Sequence, residues 1–317
     1  MRDEFSSIRK YFSDDDQGRL SVPNGDDCAV FRCPPLTETA VTTDSLVEGV
    51  HFFKGTSPGS LGVKAVEVNL SDLAAMGARP FCIFLSLVMP SPDEEFLSPF
   101  SAALKADLAR KDAFLAGGNM SRGPLSITVT ALGTIPEGTA VRRDGAKAGD
   151  VIAVTGSLGA AALAVEDTVS GHISVPPSAW GEAVRRLESP EARTEEGIAL
   201  RGLAHSMLDI SDGISSDLRH LLHSGLGAEI SLESLPFSPA LSSLAEKRRI
   251  DLAAAGGGDY ELLFTMSEET FREAEKIPVL ARTGITKIGR ITDTGRAEYL
   301  LHGVPCEVPD GWNHFRH

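Results

Sequence analysis

Six aspartates stand beside glycines or at the ends of apolar runs rather than on charged helical faces: Asp26, Asp27, Asp44, Asp72, Asp209 and Asp212. Carboxylates so placed point oxygen out of a turn or a strand end, and hard divalent cations take oxygen ligands. Asp44 follows the run Thr39 to Thr43, so Thr42 and Thr43 set hydroxyls beside it. Asp209 ends another apolar run, and Ser211 or Asp212 is expected to cap a helix running from Gly213 towards Ser224 and Gly225. Taken singly, Asp212 reads as a helix cap and Asp26 as a turn former. Clustered without a counterion, so many carboxylates would repel one another strongly, and magnesium ions would remove that cost while bridging the phosphates of ATP. The set therefore points to a multi-metal nucleotide site.

The familiar phosphate-binding signatures are absent. There is no GxxxxGK[ST] loop, no GxGxxG and no Gly-Lys dipeptide. Gly55-Thr56-Ser57-Pro58-Gly59 matches the GxSxG hydrolase pattern, but a nucleophile elbow needs the backbone N–H after the serine, and Pro58 has none. That stretch is expected to be a loop. Gly117-Gly118-Asn119-Met120-Ser121-Arg122-Gly123 reads as a turn before a strand, with glycines that permit close phosphate approach and an arginine to neutralise charge.

Positioning such residues takes a scaffold of alternating strands and helices, which suggests α/β architecture. Strands are expected at Thr39 to Thr43, Phe81 to Met89, Ser126 to Leu132, Val151 to Thr155, Ser206 to Ile210, Ala228 to Leu232, Tyr260 to Thr265 and Ile285 to Ile291. Leu61 to Met76 predicts a helix ending before Gly77, and the recurrence of Phe96, Phe100, Leu104 and Leu108 predicts another, started or kinked by Pro99. At 317 residues the chain exceeds the size at which single cores stop growing. The charged, glycine-bearing stretch around residues 141–150 is the expected junction, giving domains 1–145 and 146–317.

A formal charge of −14, with no basic stripe, speaks against nucleic-acid binding. The opening MRDEFSSIRKYFSDDD lacks a signal-peptide core, and Phe81 to Met89 is too short to span a bilayer. A cytoplasmic protein without membrane segments is expected. Cys28, Cys33, Cys82 and Cys306 follow no zinc or redox spacing and read as ordinary reduced core cysteines.

An ordered set of segments carries a resemblance that covers nearly the whole chain. GDDCAV at 25–30, TTDSLVEGVHF at 42–52, NLSDLAAMGA at 69–78 and SRGPLSITVTALG at 121–133 closely resemble the thiamine-monophosphate kinases. RRDGAKAGD at 142–150, LDISDGISSDL at 208–218, GGGDYELLFT at 256–265 and GWNHF at 311–315 extend the resemblance. It implies the two-domain fold shared with aminoimidazole ribonucleotide synthetase and selenophosphate synthetase. It also implies a homodimer whose N-terminal sheets meet at the interface, several magnesium ions, and ATP and thiamine monophosphate as substrates.

Residue by residue, the resemblance places Asp27, Thr42, Thr43, Asp44, Asp72, Asn119, Asp209 and Asp212 at metal positions. Gly118, Asn119, Arg143 and Ser211 match ATP-contact positions, and His51, Gly258 and Trp312 match acceptor-contact positions. Arg143 and Asp209 take the catalytic places. Two departures stand out, Asn119 where the family pattern has aspartate and Gly258 where it has glutamate; Asp259 or Glu261 is expected to reach the acceptor instead. Another ATP-dependent phosphorylating enzyme of this fold, and a degenerate nucleotide or thiamine-phosphate sensor, are the alternative readings.

Overall fold

The computed structural model describes residues 4–13, 18–22, 27–223 and 225–312. The chain forms two compact units, one of residues 1–73 with 78–138, the other of residues 74–77 with 139–317. Asp26, with Gly25 before it, and residues 313–315 of the C-terminal motif lie outside the described residues.

The first unit contains α1 (Glu4–Ser7), β1 (Leu20–Val22), β2 (Val30–Phe31), β3 (Thr37–Val47), α2 (Pro58–Ala75, its last two residues excepted), β4 (Arg79–Met89), α3 (Glu94–Arg110), β5 (Phe114–Arg122) and β6 (Ser126–Pro136). Its sheet runs β3-β6-β4-β5; β6 is antiparallel to both neighbours and β4 is parallel to β5. Side chains alternate as a strand dictates. Ile127, Val129 and Ala131 of β6 are buried, while Ser126, Thr128 and Thr130 are partly exposed on the opposite face.

Asp93 starts α3 by accepting the Glu95 N–H at 3.0 Å, and Glu94 and Glu95 suit the positive end of the helix. Pro99 therefore lies inside the helix rather than at its start, and Leu97, Phe100, Leu104 and Leu108 form its buried stripe. Gly62 of α2 faces α3 so closely that a Cβ there would lie 2.4 Å from the Phe100 carbonyl oxygen. Residues 117–122, expected as a turn, belong to β5. Gly118 can occupy the strand because it has no side chain: its φ is +149°, and a Cβ would fall 1.9 Å from the Leu85 oxygen.

In the second unit lie β7 (Val151–Thr155), α4 (Ala160–Ser170), α5 (Pro177–Glu188), α6 (Thr194–Leu200), β8 (Ser206–Asp209), α7 (Ile214–Asp217), β9 (Gly227–Ser231), α8 (Glu246–Ala255), β10 (Leu262–Met266), α9 (Glu268–Ala274), α10 (Pro278–Thr283), β11 (Ile285–Thr292), β12 (Ala297–Leu301) and β13 (Val304–Pro305). The seven-stranded sheet has the order β13-β12-β9-β11-β7-β10-β8, and only β12 and β9 pair in parallel. Alternating helices and strands along the chain thus yield a mostly antiparallel sheet. Every residue of β7 and β10 is buried.

The expected helix from Gly213 to Ser224 is one turn, Ile214–Asp217, continued by a short 3-10 segment at Leu218–His220. The expected cap is also reversed. Neither Ser211 nor Asp212 caps α7; the Asp217 carboxylate reaches back and accepts the N–H groups of Ser211 at 3.1 Å and Asp212 at 3.0 Å.

Candidate active site

In the first unit, two bonds tie β3 to α2. The Thr42 hydroxyl donates to Asp72 Oδ2 at 2.5 Å, and the Asp44 N–H donates to Asn69 Oδ1 at 3.0 Å. Asn69 is itself held by donation from its amide to the Ala65 carbonyl at 3.0 Å. Thr42 and Asp44 are two apart on a strand and share a face; Asn69 and Asp72 are three apart on a helix and share a face. The geometry therefore brings Thr42, Asp44 and Asp72 together. The strand continues past Asp44 to Val47, so Asp44 projects from within β3, not from its end. Asn69 was legible only as part of the NLSD spacing, and sequence reasoning gave it no role.

Thr43 points the other way, bonded to the Val129 carbonyl and the Thr130 hydroxyl, each at 3.1 Å. Asn119 sits in the row Ser45, Thr128, Ser86, Asn119 on the opposite edge of the sheet. Three strand spacings, roughly 14 Å, separate the edges that carry Asp44 and Asn119. The unit does not bring these two together. Gly118 is Asn119's neighbour in β5, and Asp27 is exposed at a bend before β2.

His51 follows β3 in a tight turn. The Val47 N–H donates to its Nδ1 at 3.1 Å, the His51 N–H donates to the Val47 carbonyl at 2.9 Å, and the Lys64 ammonium donates to the His51 carbonyl at 2.9 Å.

The second unit gathers another group around the loop after β8. Asp209 is buried at the strand end, Ser211 is exposed and Asp212 half-buried. Three backbone bonds clasp this loop: Gly258 N–H to the Ser211 carbonyl at 2.8 Å, Tyr260 N–H to Ile210 at 2.9 Å and Trp312 N–H to Asp212 at 3.0 Å. The approach is close enough to demand glycine, since a Cβ on Gly257 would meet the Ser211 oxygen at 2.4 Å and one on Gly311 the Asp212 oxygen at 2.3 Å. Asp209, Ser211, Asp212, Gly258 and the exposed Trp312 therefore share one neighbourhood, while Arg143 is exposed in the segment before β7.

Neither of the two residues expected to replace the missing glutamate is free to reach an acceptor. Glu261 is fully buried, with Oε1 accepting from Arg186 and Arg193, each at 2.6 Å, and Oε2 accepting from Arg193 at 2.6 Å and Thr155 at 2.7 Å. Asp259 is buried too, its Oδ2 accepting the Gly159 N–H at 2.8 Å. Burial, opposed by that bond and by the Arg186 charge, pushes the Asp259 carboxyl up to about 7. Burial likewise pushes Asp217 up to about 7, against the two bonds from the loop.

Among the described residues no group of three or more His, Cys, Asp or Glu side chains is placed to hold a metal ion. The donors at this contact, the Asp72 carboxylate with the Thr42 hydroxyl bonded to it and the Asp44 carboxylate two residues along β3, are oxygens throughout, which is the chemistry a hard cation takes. No described helix is long and apolar enough to cross a membrane.

Comparison with known proteins matches residues 25–135 to the AIR synthase related protein N-terminal domain and residues 147–301 to the AIR synthase related protein C-terminal domain. A thiamine-monophosphate kinase of Escherichia coli (strain K12) is 42% identical, with 98% of each chain covered. The crystal structure of thiamine-monophosphate kinase from Stenotrophomonas maltophilia K279a is similar at a TM-score of 0.85 and 36% identity, over 94% of this chain and 95% of that one. AaThiL complexed with AMPPCP and TMP is similar at a TM-score of 0.77 and 32% identity, over 99% of both chains.

Proposed function

The chain belongs to the AIR synthase related family, and from that premise we propose that it is a thiamine-monophosphate kinase, moving the γ-phosphoryl group of ATP onto the phosphate of thiamine monophosphate. The products are thiamine pyrophosphate and ADP. The observation that carries this reading is the end-to-end 42% identity with the Escherichia coli kinase, with 98% of each chain covered.

In the proposed mechanism the acceptor phosphate attacks the γ-phosphorus in line, and no phosphoenzyme forms. Magnesium, when bound, supplies charge neutralisation and alignment of the phosphates. Several ions are proposed, with Asp27, Thr42, Thr43, Asp44, Asp72 and Asn119 the residues of the first unit assigned to hold them and Asp209 and Asp212 those of the second; the Thr42–Asp72 and Asp44–Asn69 bonds fix the part built on β3 and α2. Gly118, Asn119, Arg143 and Ser211 contact the nucleotide, and Arg143 offsets charge on the transferring group. Asp209 acts from its fixed place at the end of β8. His51 and Trp312 receive the acceptor, the exposed indole offering a face to a cationic ring. Gly258 leaves the acceptor without the side chain the family pattern supplies there.

Residues 1–145 serve as the nucleotide- and metal-binding and dimerisation domain, and 146–317 as the C-terminal domain. Two copies pair through the sheet face opposite α2 and α3. That face carries the Thr43–Thr130 and Ser45–Thr128 hydroxyl pairs and Val41, which is 62% exposed. The four cysteines are free, Cys82 buried as expected of a core cysteine but Cys28 and Cys33 exposed, and free thiols suit a cytoplasmic setting where ATP is supplied. ADP release tests the reading: it should require both thiamine monophosphate and a divalent cation, with unphosphorylated thiamine inert as acceptor. Release at the same rate with no acceptor present would reject it.

A further inference from the structure

Lysine is almost never buried without a partner, because stripping water from an ammonium is costly. Lys64, on α2, is buried, and its ammonium donates to the His51 carbonyl at 2.9 Å. One turn further along the same helix the buried Glu67 pairs with Arg110 at 3.0 Å and Lys111 at 3.2 Å. The Lys64 bond ties α2 to the turn that carries His51.

That turn is closed on itself. Val50 and His51 both donate to the Val47 carbonyl, at 3.1 and 2.9 Å, and Gly49 donates to Phe52 at 2.8 Å. Gly49 has φ +80°, a left-handed conformation that glycine adopts without strain. The Val47 N–H donates to His51 Nδ1, so Nδ1 must carry a lone pair, and the neutral ring carries its proton on Nε2. Protonating Nδ1 would break this bond.

We propose that Lys64 is a positioning residue for acceptor binding: it locks the His51 turn so that the imidazole presents Nε2–H, as a neutral donor, to the phosphate-bearing acceptor. This rests on the reading of His51 as an acceptor contact. The lysine acts through the main chain, the Val47 N–H through the ring, and together they fix both where the donor lies and which nitrogen bears the proton. A fixed neutral donor discriminates by direction, whereas an imidazolium would attract any anion, ATP included.

Two measurements test this. Nitrogen-15 spectra of the imidazoles, with the His51 signal identified by its loss in His51→Ala, should show the Nε2–H tautomer at neutral pH. An imidazolium or an Nδ1–H tautomer overturns the proposal. In kinetics, Lys64→Met should raise KM for thiamine monophosphate about tenfold, with kcat and KM for ATP within about twofold, as expected for losing one charge-assisted bond that orients a donor. Lys64→Arg should restore most of the loss. In the His51→Ala background Lys64→Met should add nothing further, because the two act through one contact. Unchanged KM in Lys64→Met, or additive effects, overturns the proposal while leaving His51 as an acceptor contact. Unchanged KM in His51→Ala instead removes the reading beneath it. Should Lys64→Met fail to fold, Lys64→Gln and the wild-type spectrum still decide: a raised acceptor KM in a folded Lys64→Gln, together with the Nε2–H tautomer, supports the proposal, and an unchanged KM or loss of that tautomer overturns it.

Discussion

At the level of single residues, the β3–α2 contact gives the sharpest expectations. Asp72 is engaged by the Thr42 hydroxyl at 2.5 Å, and Asp44 is set by the Asn69 tie to its own backbone, so neither carboxylate contributes much to a core. Asp44→Ala and Asp72→Ala should each cost about 100-fold or more in turnover, the scale on which removing electrostatic stabilisation of a transition state is felt. Both should melt close to the parent protein; full activity in both variants removes them from the metal site. Asn119 is a milder case, offering a neutral amide oxygen where a carboxylate would carry charge. Asn119→Asp should lower the magnesium concentration needed for half-maximal activity, since hard cations favour charged oxygen. A magnesium titration at fixed ATP checks the direction, and an unchanged or higher requirement in a folded variant withdraws Asn119 as a ligand.

At the level of elements, the buried Glu261, immediately before β10, is joined to α5 and to the segment before α6 through Arg186 and Arg193. Burial opposes the Arg193 charge, but the Glu261 carboxylate outweighs it and holds the guanidinium above its ordinary range. Glu261→Gln leaves the buried Arg186 and the half-buried Arg193 under-compensated and should cost about 3–5 kcal/mol in denaturant unfolding; a loss below about 1 kcal/mol would contradict the role given to the network. Asp259 gives a pH signature. Its folded value of about 7 lies above the unfolded value, so the folded state holds the proton more tightly. The stabilisation is complete below about pH 4 and is lost as pH rises through the folded value. Asp259→Asn should therefore make stability less dependent on pH across that window, measured by denaturation at several pH values. Local sequence could not reveal these groups, because the partners of Glu261 lie 68 and 75 residues away. What periodicity could reveal, it did: Val151–Thr155 has the expected bounds, and β4, β6 and α2 were legible from their apolar patterns. β5 was missed because Gly117 and Gly118 read as a turn, and only their fit against Phe84 and Leu85 makes them strand. The shortness of α7 was hidden for a similar reason, since Asp217 turns back to the loop instead of extending a helix.

At the scale of the whole molecule, the two-domain fold and the kinase resemblance were readable because the motifs keep their order across the chain, and the family domains match residues 25–135 and 147–301. The spatial split of the candidate site was not readable. Nothing in the spacing of Thr42 and Thr43 announces that their hydroxyls face opposite ways, or that Asn119 and Asp44 occupy opposite edges of one sheet, because register is a long-range property. The central claim is that the γ-phosphoryl group ends on the acceptor's phosphate, and isotope tracing tests it most directly. ATP labelled with oxygen-18 in the γ-phosphoryl group should give thiamine pyrophosphate carrying the full label, seen by mass spectrometry, with unlabelled inorganic phosphate in the background. Label appearing in inorganic phosphate, with no heavy thiamine pyrophosphate formed, would contradict the account and mark the chain as an ATP-dependent activating enzyme or a hydrolase of the same fold.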